Sequence, residues 1–256
     1  MTGSLARPSS ASEQTLALGA QDLHLWLCHR DVLDSSDEFR RGVLSRYASV
    51  APQDWRFRQG EHGKPLVLDP PLTVDFNLSH SGDWLACAVT AGVQVGVDIE
   101  RCDGQRDLLT LARRFFQAAE VADILSLAGG ARECRFYDYW TLKEAAIKAG
   151  GGALGPELER TGFVIRSVPA DAPAIIERAP GEACTGAYHC LLAPLPDYRL
   201  AVCWRGPEAI RPNLALYNWR EGAQWPEPLC TVLAASRFDC ADQPAWDGRR
   251  PRQLHE

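Results

Sequence analysis

The sequence predicts an α+β fold of two halves joined near Gly96, each a small, mainly antiparallel sheet packed with helix. Three observations lead to this prediction. Short alternating segments with tight turns fill residues 74–100, helical spacing runs from 107 to 149, and strand-like segments return between 162 and 204. This order of strands, helices and strands again indicates two mixed halves.

The first half is predicted to contain strands and one helix. In order, a strand, a helix, a brief strand and three further strands are predicted at 23–27, 38–50, 55–57, 74–78, 84–90 and 93–100. Residues 23–27 alternate apolar and polar side chains, as a half-buried strand does. Pro52 ends the helix, and the Ala91-Gly92 pair makes a tight turn between the last two strands.

The second half is predicted to begin with helices and to end with strands. The helices are expected at 107–116, from Glu120 onward and at 133–149, and the strands at 162–166, 174–177, 187–192 and 199–204. Three consecutive glycines at 150–152 end the longest helix. Beyond Gly206 we find no clear periodicity. We therefore divide the chain into residues 1–95, residues 96–205 and an appended C-terminal extension of unknown role, residues 206–256.

Composition excludes several classes of protein. The 256 residues suffice for a sizeable core, and 46% hydrophobic with 23% charged residues is typical of a globular chain. No segment approaches the roughly 18 consecutive apolar residues of a membrane span, and residues 1–20 contain no signal-peptide block. A net charge of −6 argues against a general nucleic-acid binder. The nine cysteines form no CxxC pair, so we expect reduced thiols and a cytoplasmic location.

Two acidic residues lie close together in the segment GVDIE, residues 96–100. In a strand, Asp98 and Glu100 point to the same side, while Val97 and Ile99 point into the core. Two such carboxylates repel each other unless water or a cation separates them. Taken alone, the pair also fits an ordinary solvated strand face.

A third acid lies in the segment WTLKEAAIK, residues 140–148. Trp140, Glu144 and Lys148 follow i, i+4, i+8 spacing and share one face of a helix. A surface ion pair between Glu144 and Lys148 is one explanation, but a face that carries Trp140 should be partly buried, where charges need a partner. With Asp98 and Glu100, these residues predict a Mg²⁺ site beside a phosphate group.

The segment FNLSHSGDW, residues 76–84, places Ser79 and His80 at the end of a strand. Adjacent residues rarely form a catalytic Ser–His pair, and we find no third member. We therefore expect Ser79 and His80, with Lys64 nearby, to bind phosphate, although a hydrogen-bonded turn remains an alternative. Lys64, Lys143 and Lys148 are the lysines among 27 basic residues; Lys143 and Lys148 lie in WTLKEAAIK, and Lys64 lies in a predicted loop at 60–65.

Taken together, these motifs resemble those of the Sfp-type 4′-phosphopantetheinyl transferases. The resemblance covers residues 41–204 and rests on GKP (63–65), FNLSHSGDW (76–84), GVDIE (96–100), RFFQAAE (114–120) and WTLKEAAIK (140–148). It implies two pseudo-symmetric halves with the active site at their interface. It also implies transfer of the phosphopantetheine arm of coenzyme A to a serine of an acyl or peptidyl carrier protein, with release of adenosine 3′,5′-bisphosphate.

The resemblance also implies roles for individual residues. Mg²⁺ would be bound by Asp98, Glu100 and Glu144, and the pyrophosphate would meet Lys148. The 3′-phosphate and nearby groups of coenzyme A would be held by Lys64, Ser79 and His80, and Arg41 would make a further contact to the adenosine portion. Glu120 would deprotonate the carrier serine, although a helix N-terminal acid is the alternative for this residue. Two halves that form their own cleft need no partner subunit, so we expect a monomer.

The sequence departs from the family pattern at both ends. The helical region ahead of Arg41 is short, so Arg40, Arg41 and Arg46 could replace coenzyme contacts found elsewhere in the family. Residues 206–256 extend beyond the expected end of the fold. Two alternatives to an active transferase therefore stay open: a non-catalytic protein that binds carrier protein or coenzyme A, and another Mg²⁺-dependent phosphotransferase or nucleotide hydrolase.

Overall fold

The computed structural model describes residues 15–104, 107–167, 174–179, 186–206, 210–219 and 231–236. The strands in chain order are β1 (Asp22–His29), β2 (Phe57–Gln59), β3 (Pro65–Val67), β4 (Val74–Ser81), β5 (Trp84–Ala91), β6 (Gln94–Arg101), β7 (Phe163–Arg166), β8 (Ala174–Arg178), β9 (Ala187–Ala193), β10 (Tyr198–Arg205), β11 (Asn213–Asn218) and β12 (Thr231–Ser236). The helices are α1 (Ser36–Ser45), α2 (Leu108–Phe115), α3 (Ala118–Leu125), α4 (Gly129–Gly150) and α5 (Leu154–Leu158).

The described strands form two large sheets and one small hairpin. The first sheet has the order β11-β1-β5-β4, the second has the order β6-β10-β9-β12-β8-β7, and β2 pairs with β3. Most neighbours are antiparallel, the exceptions being β1 with β11 and β8 with β12. The predicted α+β class with two mainly antiparallel sheets is therefore confirmed. Within the described ranges, no helix is long and apolar enough to cross a membrane.

The first sheet buries both of its faces. Leu23, Leu25 and Leu27 alternate along β1 and pack against the second sheet, as their spacing predicted. Trp26 and Cys28 point the other way, into a cluster that includes Phe39 and other residues of α1. Alternation along one strand thus supplies both a core between the sheets and a second core under α1.

The second sheet also lies between two apolar layers. Val95, Val97 and Ile99 of β6 face the first sheet, while Ala201 and Cys203 of β10 face the side on which α4 packs. The predicted stop of this helix is confirmed, because Gly151 adopts a left-handed conformation with φ +67° at its C-cap. The order of layers is α1, first sheet, second sheet, α4.

Several local boundaries differ from the predictions. Strand β4 continues to Ser81, so Ser79 and His80 lie within it rather than past residue 78, and α4 begins at Gly129 rather than at residue 133. Helix α1 ends at Ser45 rather than at residue 50, and Ser35 caps its N-terminus by accepting a hydrogen bond from the Glu38 backbone N–H. The brief strand predicted at 55–57 begins only at Phe57. The two-residue shift of the strand is of the size expected where a short strand begins, whereas the helix stops five residues before its predicted end.

The expectation that the chain beyond Gly206 is merely an appended tail was wrong for two segments. Strand β11 pairs in parallel with β1 in the first sheet, and β12 lies between β9 and β8 in the second. Trp219, just past β11, packs edge-on against Trp26 and Phe39. Neither segment alternates strongly, so the sequence carried little strand signal. Trp225 and Trp246 lie outside the described residues, and the domain boundaries proposed from sequence stay predictions.

Candidate active site

Three carboxylates from two elements meet beside the edge of the second sheet. Asp98 and Glu100 project from β6 and Glu144 from α4, and one oxygen of each lies within 4.8 Å of the others. Val97 and Ile99 are fully buried on the opposite face of β6. The strand alternation predicted for GVDIE therefore brings two acids to the helix, and the helix supplies the third.

Lys148 lies among these acids. Its ammonium contacts Asp98 Oδ1 at 2.6 Å and Glu144 Oε2 at 3.0 Å, and it also reaches Ser79 Oγ at 3.4 Å. Although burial works against the charged form, the Asp98 and Glu144 carboxylates raise the pKa of Lys148. When ionised, these three acids and one lysine carry a net charge of −2, which matches a divalent cation.

The pKa of the Asp98 carboxyl depends on its burial and on the charges around it. Burial raises its pKa to about 8; Lys148 opposes this rise, and Glu144 and Glu100 add to it. Its Oδ1 atom binds Lys148 and Ser79, whereas Oδ2 is buried and accepts no hydrogen bond from the described residues. A cation bound to Oδ2 would give this buried oxygen the partner that it lacks among the described residues.

Ser79 and His80 line a cavity that lies next to the acids. A cavity of about 180 Å³ lies between the N-terminus of α1, β3 and β4, and its walls include Arg40, Ser79 and His80. Arg41, which the sequence analysis selected, does not line it. Arg41 instead pairs with Asp37 and donates to the carbonyl oxygens of Pro52 and Trp55.

Lys64 is engaged at the far end of β4. Its ammonium contacts Asp75 Oδ2 at 2.6 Å and the Val95 carbonyl oxygen at 3.0 Å. Asp75 and Ser79 are four residues apart, which is about 13 Å along a strand. The described contacts therefore do not bring Lys64 together with Ser79 and His80 as the sequence predicted.

Glu120 is buried away from the acidic cluster in the described contacts. Its side chain is 1% exposed and lies 2.6 Å from the Lys143 ammonium, and it accepts hydrogen bonds from the backbone N–H groups of Gln117 and Phe163. Burial raises the pKa of this carboxyl, and the charge of Lys143 opposes the rise. The bond to Gln117 completes a capping box at the start of α3. These contacts favour the helix-terminal alternative, while the role as base stays a prediction.

Sequence reasoning gave no role to Ser81 or Lys143, and it named Arg40 only together with Arg41 and Arg46. Ser81 donates a hydrogen bond to Glu100 Oε2 at 2.8 Å, and its position two residues after Ser79 was the available signal. Arg40 lines the cavity in place of its neighbour Arg41. Lys143, next to Glu144 in the chain, is fully buried and carries no local signal of its pairing with Glu120.

Comparison with known proteins identifies the family. A family model of the 4′-phosphopantetheinyl transferase superfamily matches residues 94–203. The chain is 33% identical to the 4′-phosphopantetheinyl transferase Sfp of Bacillus subtilis over 180 residues, 70% of this chain and 75% of the relative. The chain belongs to the 4′-phosphopantetheinyl transferase superfamily. The matched region begins at β6 and includes all three acids and Lys148.

Further relatives of this phosphopantetheinyl transferase chain cover similar shares. It is 33% identical to the transferase HetI of a Nostoc strain, over 62% of this chain and 70% of the relative. It is 38% identical to the transferase psf-1 of Bacillus pumilus, over 66% of this chain and 69% of the relative. The solved Thermotoga maritima holo-[acyl-carrier-protein] synthase is 18% identical, with a TM-score of 0.34 over 44% of this chain and 62% of its own.

Proposed function

We propose that this chain moves the phosphopantetheine arm of coenzyme A onto a serine of an acyl or peptidyl carrier protein, with Mg²⁺ bound. The observation that carries the proposal is the cluster of Asp98, Glu100 and Glu144, with Lys148 bound to two of them. The superfamily membership supports the same chemistry.

The donor set fits a hard cation. Three carboxylates within 4.8 Å of one another offer the oxygen ligands that Mg²⁺ prefers, and Asp98 Oδ2 has no other described partner. When bound, Mg²⁺ supplies positive charge to the pyrophosphate oxygens of coenzyme A and to the leaving phosphate. Asp98, Glu100 and Glu144 would hold it there.

Lys148 supplies a second positive charge at the same place. Its ammonium is kept protonated by the acids around it, so it can pair with phosphate oxygens as the bond to the bridging oxygen breaks. The serine oxygen of the carrier forms the new bond to phosphorus, and adenosine 3′,5′-bisphosphate leaves. Because a lysine ammonium is compact and its side chain is flexible, it can stay in contact with the phosphate oxygens as their charge changes.

The cavity beside the cluster suits the adenosine side of coenzyme A. Ser79 and His80 offer polar groups, and Arg40 adds a guanidinium whose Nε is buried without a hydrogen-bond partner among the described residues. We place the 3′-phosphate near these three residues. Arg40 and Arg41 both pair with Asp37, and Lys64 pairs with Asp75, so a coenzyme phosphate would have to compete with these carboxylates for all three side chains.

The serine proton needs an acceptor. The family resemblance assigns it to Glu120, whose oxygens are engaged by Lys143 and two backbone N–H groups. We therefore propose this role from the resemblance alone. The predicted cytoplasmic location, monomeric state and lack of nucleic-acid or membrane partners also belong to the proposal.

Mass spectrometry of carrier proteins tests the whole proposal. The purified chain, coenzyme A and Mg²⁺ are incubated in parallel with carriers of fatty-acid, polyketide and nonribosomal-peptide type. We expect one phosphopantetheine arm on the carrier serine of at least one of them, and none when a chelator removes the metal. Binding without modification would instead identify a non-catalytic binder. Cleavage of coenzyme A or a nucleotide without carrier modification would identify a hydrolase.

A further inference from the structure

The two sheets meet along strands that are both sheet edges. β4 ends the first sheet and β6 begins the second, and their backbones do not pair with each other in the described residues. Alternate side chains of β4 instead accept hydrogen bonds from alternate backbone N–H groups of β6. These bonds, which we call the β4 ladder, are Asp75 Oδ2 to Val95 N at 2.7 Å, Asn77 Oδ1 to Val97 N at 2.9 Å, Ser79 Oγ to Ile99 N at 3.3 Å and Ser81 Oγ to Arg101 N at 3.0 Å.

The ladder has a clear physical basis. The N–H groups on the free edge of a strand need partners, and buried ones cost free energy when they lack them. Both strands repeat every two residues, so short acceptor side chains at i, i+2, i+4 and i+6 can meet four N–H groups in register. The side chains of β4 therefore bridge the two halves. A shift of β4 by one residue along β6 would break all four bonds.

Each of the two serines in the β4 ladder makes a second hydrogen bond, to one of the acids. Ser79 Oγ donates to Asp98 Oδ1 at 2.7 Å, and Ser81 Oγ donates to Glu100 Oε2 at 2.8 Å. A hydroxyl has one proton. The backbone N–H bonds to a lone pair of each serine oxygen. An ionised carboxylate can only accept, so the serine proton points to it. In Asp98 this arrangement uses Oδ1 and leaves Oδ2 for a cation.

From this geometry we infer that Ser79 and Ser81 are positioning residues of the metal site. Each hydroxyl is anchored to the backbone of β6 and holds the carboxylate of the neighbouring β6 residue in one orientation. The first half of the chain thereby sets the direction of two ligands that belong to the second half. The inference rests on the proposed function, since it concerns the same acids.

Ser81 provides the cleaner test, because Ser79 also lines the coenzyme cavity. Mn²⁺ binding to the purified full-length chain is measured from the spectrum of free Mn²⁺ in electron paramagnetic resonance. Loss of a partner that orients a ligand weakens metal affinity by about 10–100-fold. We expect this loss for Ser81→Ala, and recovery in Ser81→Thr, which keeps the hydroxyl. In the transfer assay, Ser81→Ala should need about tenfold more Mg²⁺ and regain most of its maximal rate at saturation.

Asn77→Ala is the matched control. It removes one bond of the ladder, and Asn77 contacts no metal-site acid in the described hydrogen bonds. We expect a lower melting temperature but unchanged Mn²⁺ affinity. Equal loss of affinity in Asn77→Ala and Ser81→Ala would overturn the inference, because docking of the halves would then explain the effect. So would wild-type affinity in Ser81→Ala. Failure of the wild-type chain to bind Mn²⁺ would overturn the metal site itself as well.

Discussion

Gly96 of β6 lies directly against the carbonyl oxygen of Ala145 in α4. A methyl group on Gly96 would come within 2.0 Å of that oxygen and within 2.5 Å of the Ala149 backbone nitrogen. The missing side chain lets strand and helix approach closely. Asp98 lies two residues after Gly96 on the same face, and Glu144 precedes Ala145, so this approach is what brings the acids together.

Gly96→Ala should therefore damage both stability and transfer. The helix backbone must move to admit a methyl group, and overpacking of this kind costs about 1–3 kcal/mol. We expect a lower melting temperature and a slower transfer that needs a higher Mg²⁺ concentration. Gly130→Ala, in the same helix, is the control: a methyl group there meets no described heavy atom within 4 Å outside the helix backbone. It should be neutral or slightly stabilising. A Gly96→Ala chain with wild-type transfer would contradict the close-approach argument.

Asp98→Ala and Glu144→Ala should each reduce transfer by more than about 100-fold while the chain stays folded. Loss of even an indirect partner of a metal can lower activity that far, and these are direct ligands in our proposal. The measurement is turnover at saturating Mg²⁺, with circular dichroism to check the fold. Glu133→Ala, also on α4 but outside the cluster, serves as control. Near wild-type turnover in either cluster variant would show that the metal assignment is wrong.

Glu120→Gln distinguishes a base from a structural ion pair. The structural reading predicts a loss of about 3–5 kcal/mol in unfolding free energy, because Lys143 is left charged and buried. Adding Lys143→Met should then restore part of the stability, and with it the transfer. The recovery is partial, since Lys143 also donates to the carbonyl oxygens of Leu158 and Thr161.

The alternative for Glu120 has a different signature. If it is the base, Glu120→Gln loses about 10²–10⁴-fold in turnover with coenzyme binding kept, in addition to any loss of stability from the broken ion pair. The double variant would then be inactive at any stability. Denaturant unfolding and transfer rates of the two variants, measured side by side, separate these outcomes.

A chain that ends at Gly206 should no longer fold stably. It lacks β11, which covers the edge of β1, and β12, which lies inside the second sheet. It also lacks Tyr217, which stacks on Trp26 with ring centroids 4.5 Å apart. The single substitution Tyr217→Ala should by itself cost about 3–5 kcal/mol, as for other buried aromatic residues. A truncated chain that melts and transfers like the full chain would instead restore the interpretation of residues 206–256 as an appendage.

Two buried histidines should make the protein acid-sensitive. Burial lowers the pKa of His189 to about 3 and that of His24 to about 4. In the unfolded chain both have a pKa near 6.5, so the unfolded state takes up protons first as pH falls. The stability from neutral burial is complete above about pH 6.5 and is lost toward pH 4, at up to about 1.4 kcal/mol per pH unit for each histidine.

Unfolding free energies at pH 7, 6 and 5 test this pH dependence. His189→Gln should lower the slope between pH 6.5 and 5, because one proton-binding site is removed from the unfolded chain but none from the folded one. His62→Gln, at an exposed histidine, is the control for the effect of the substitution itself. An equal slope in wild type and His189→Gln would show that His189 is not neutral and buried in solution.

Much of the site was readable from periodicity within single elements. Period two along β6 put Asp98 and Glu100 on one side, and a spacing of four along α4 put Glu144 and Lys148 on one face. Such patterns need only the geometry of one strand or helix. The close approach of these two elements also had a sequence signal, the glycine at position 96, although its meaning depends on what lies opposite.

By itself, then, the sequence determined the fold class, the helix that ends at the glycines and the acids that share a face. Only the tertiary structure decided which distant groups satisfy one another: Glu120 with Lys143, Lys64 with Asp75, and Ser81 with Glu100. It also decided where β11 and β12 lie, since their places depend on open positions in sheets built from residues far away in the chain. The physical reason is that periodicity is a property of one segment, whereas a buried charge or an unpaired strand edge takes whatever partner packing brings to it.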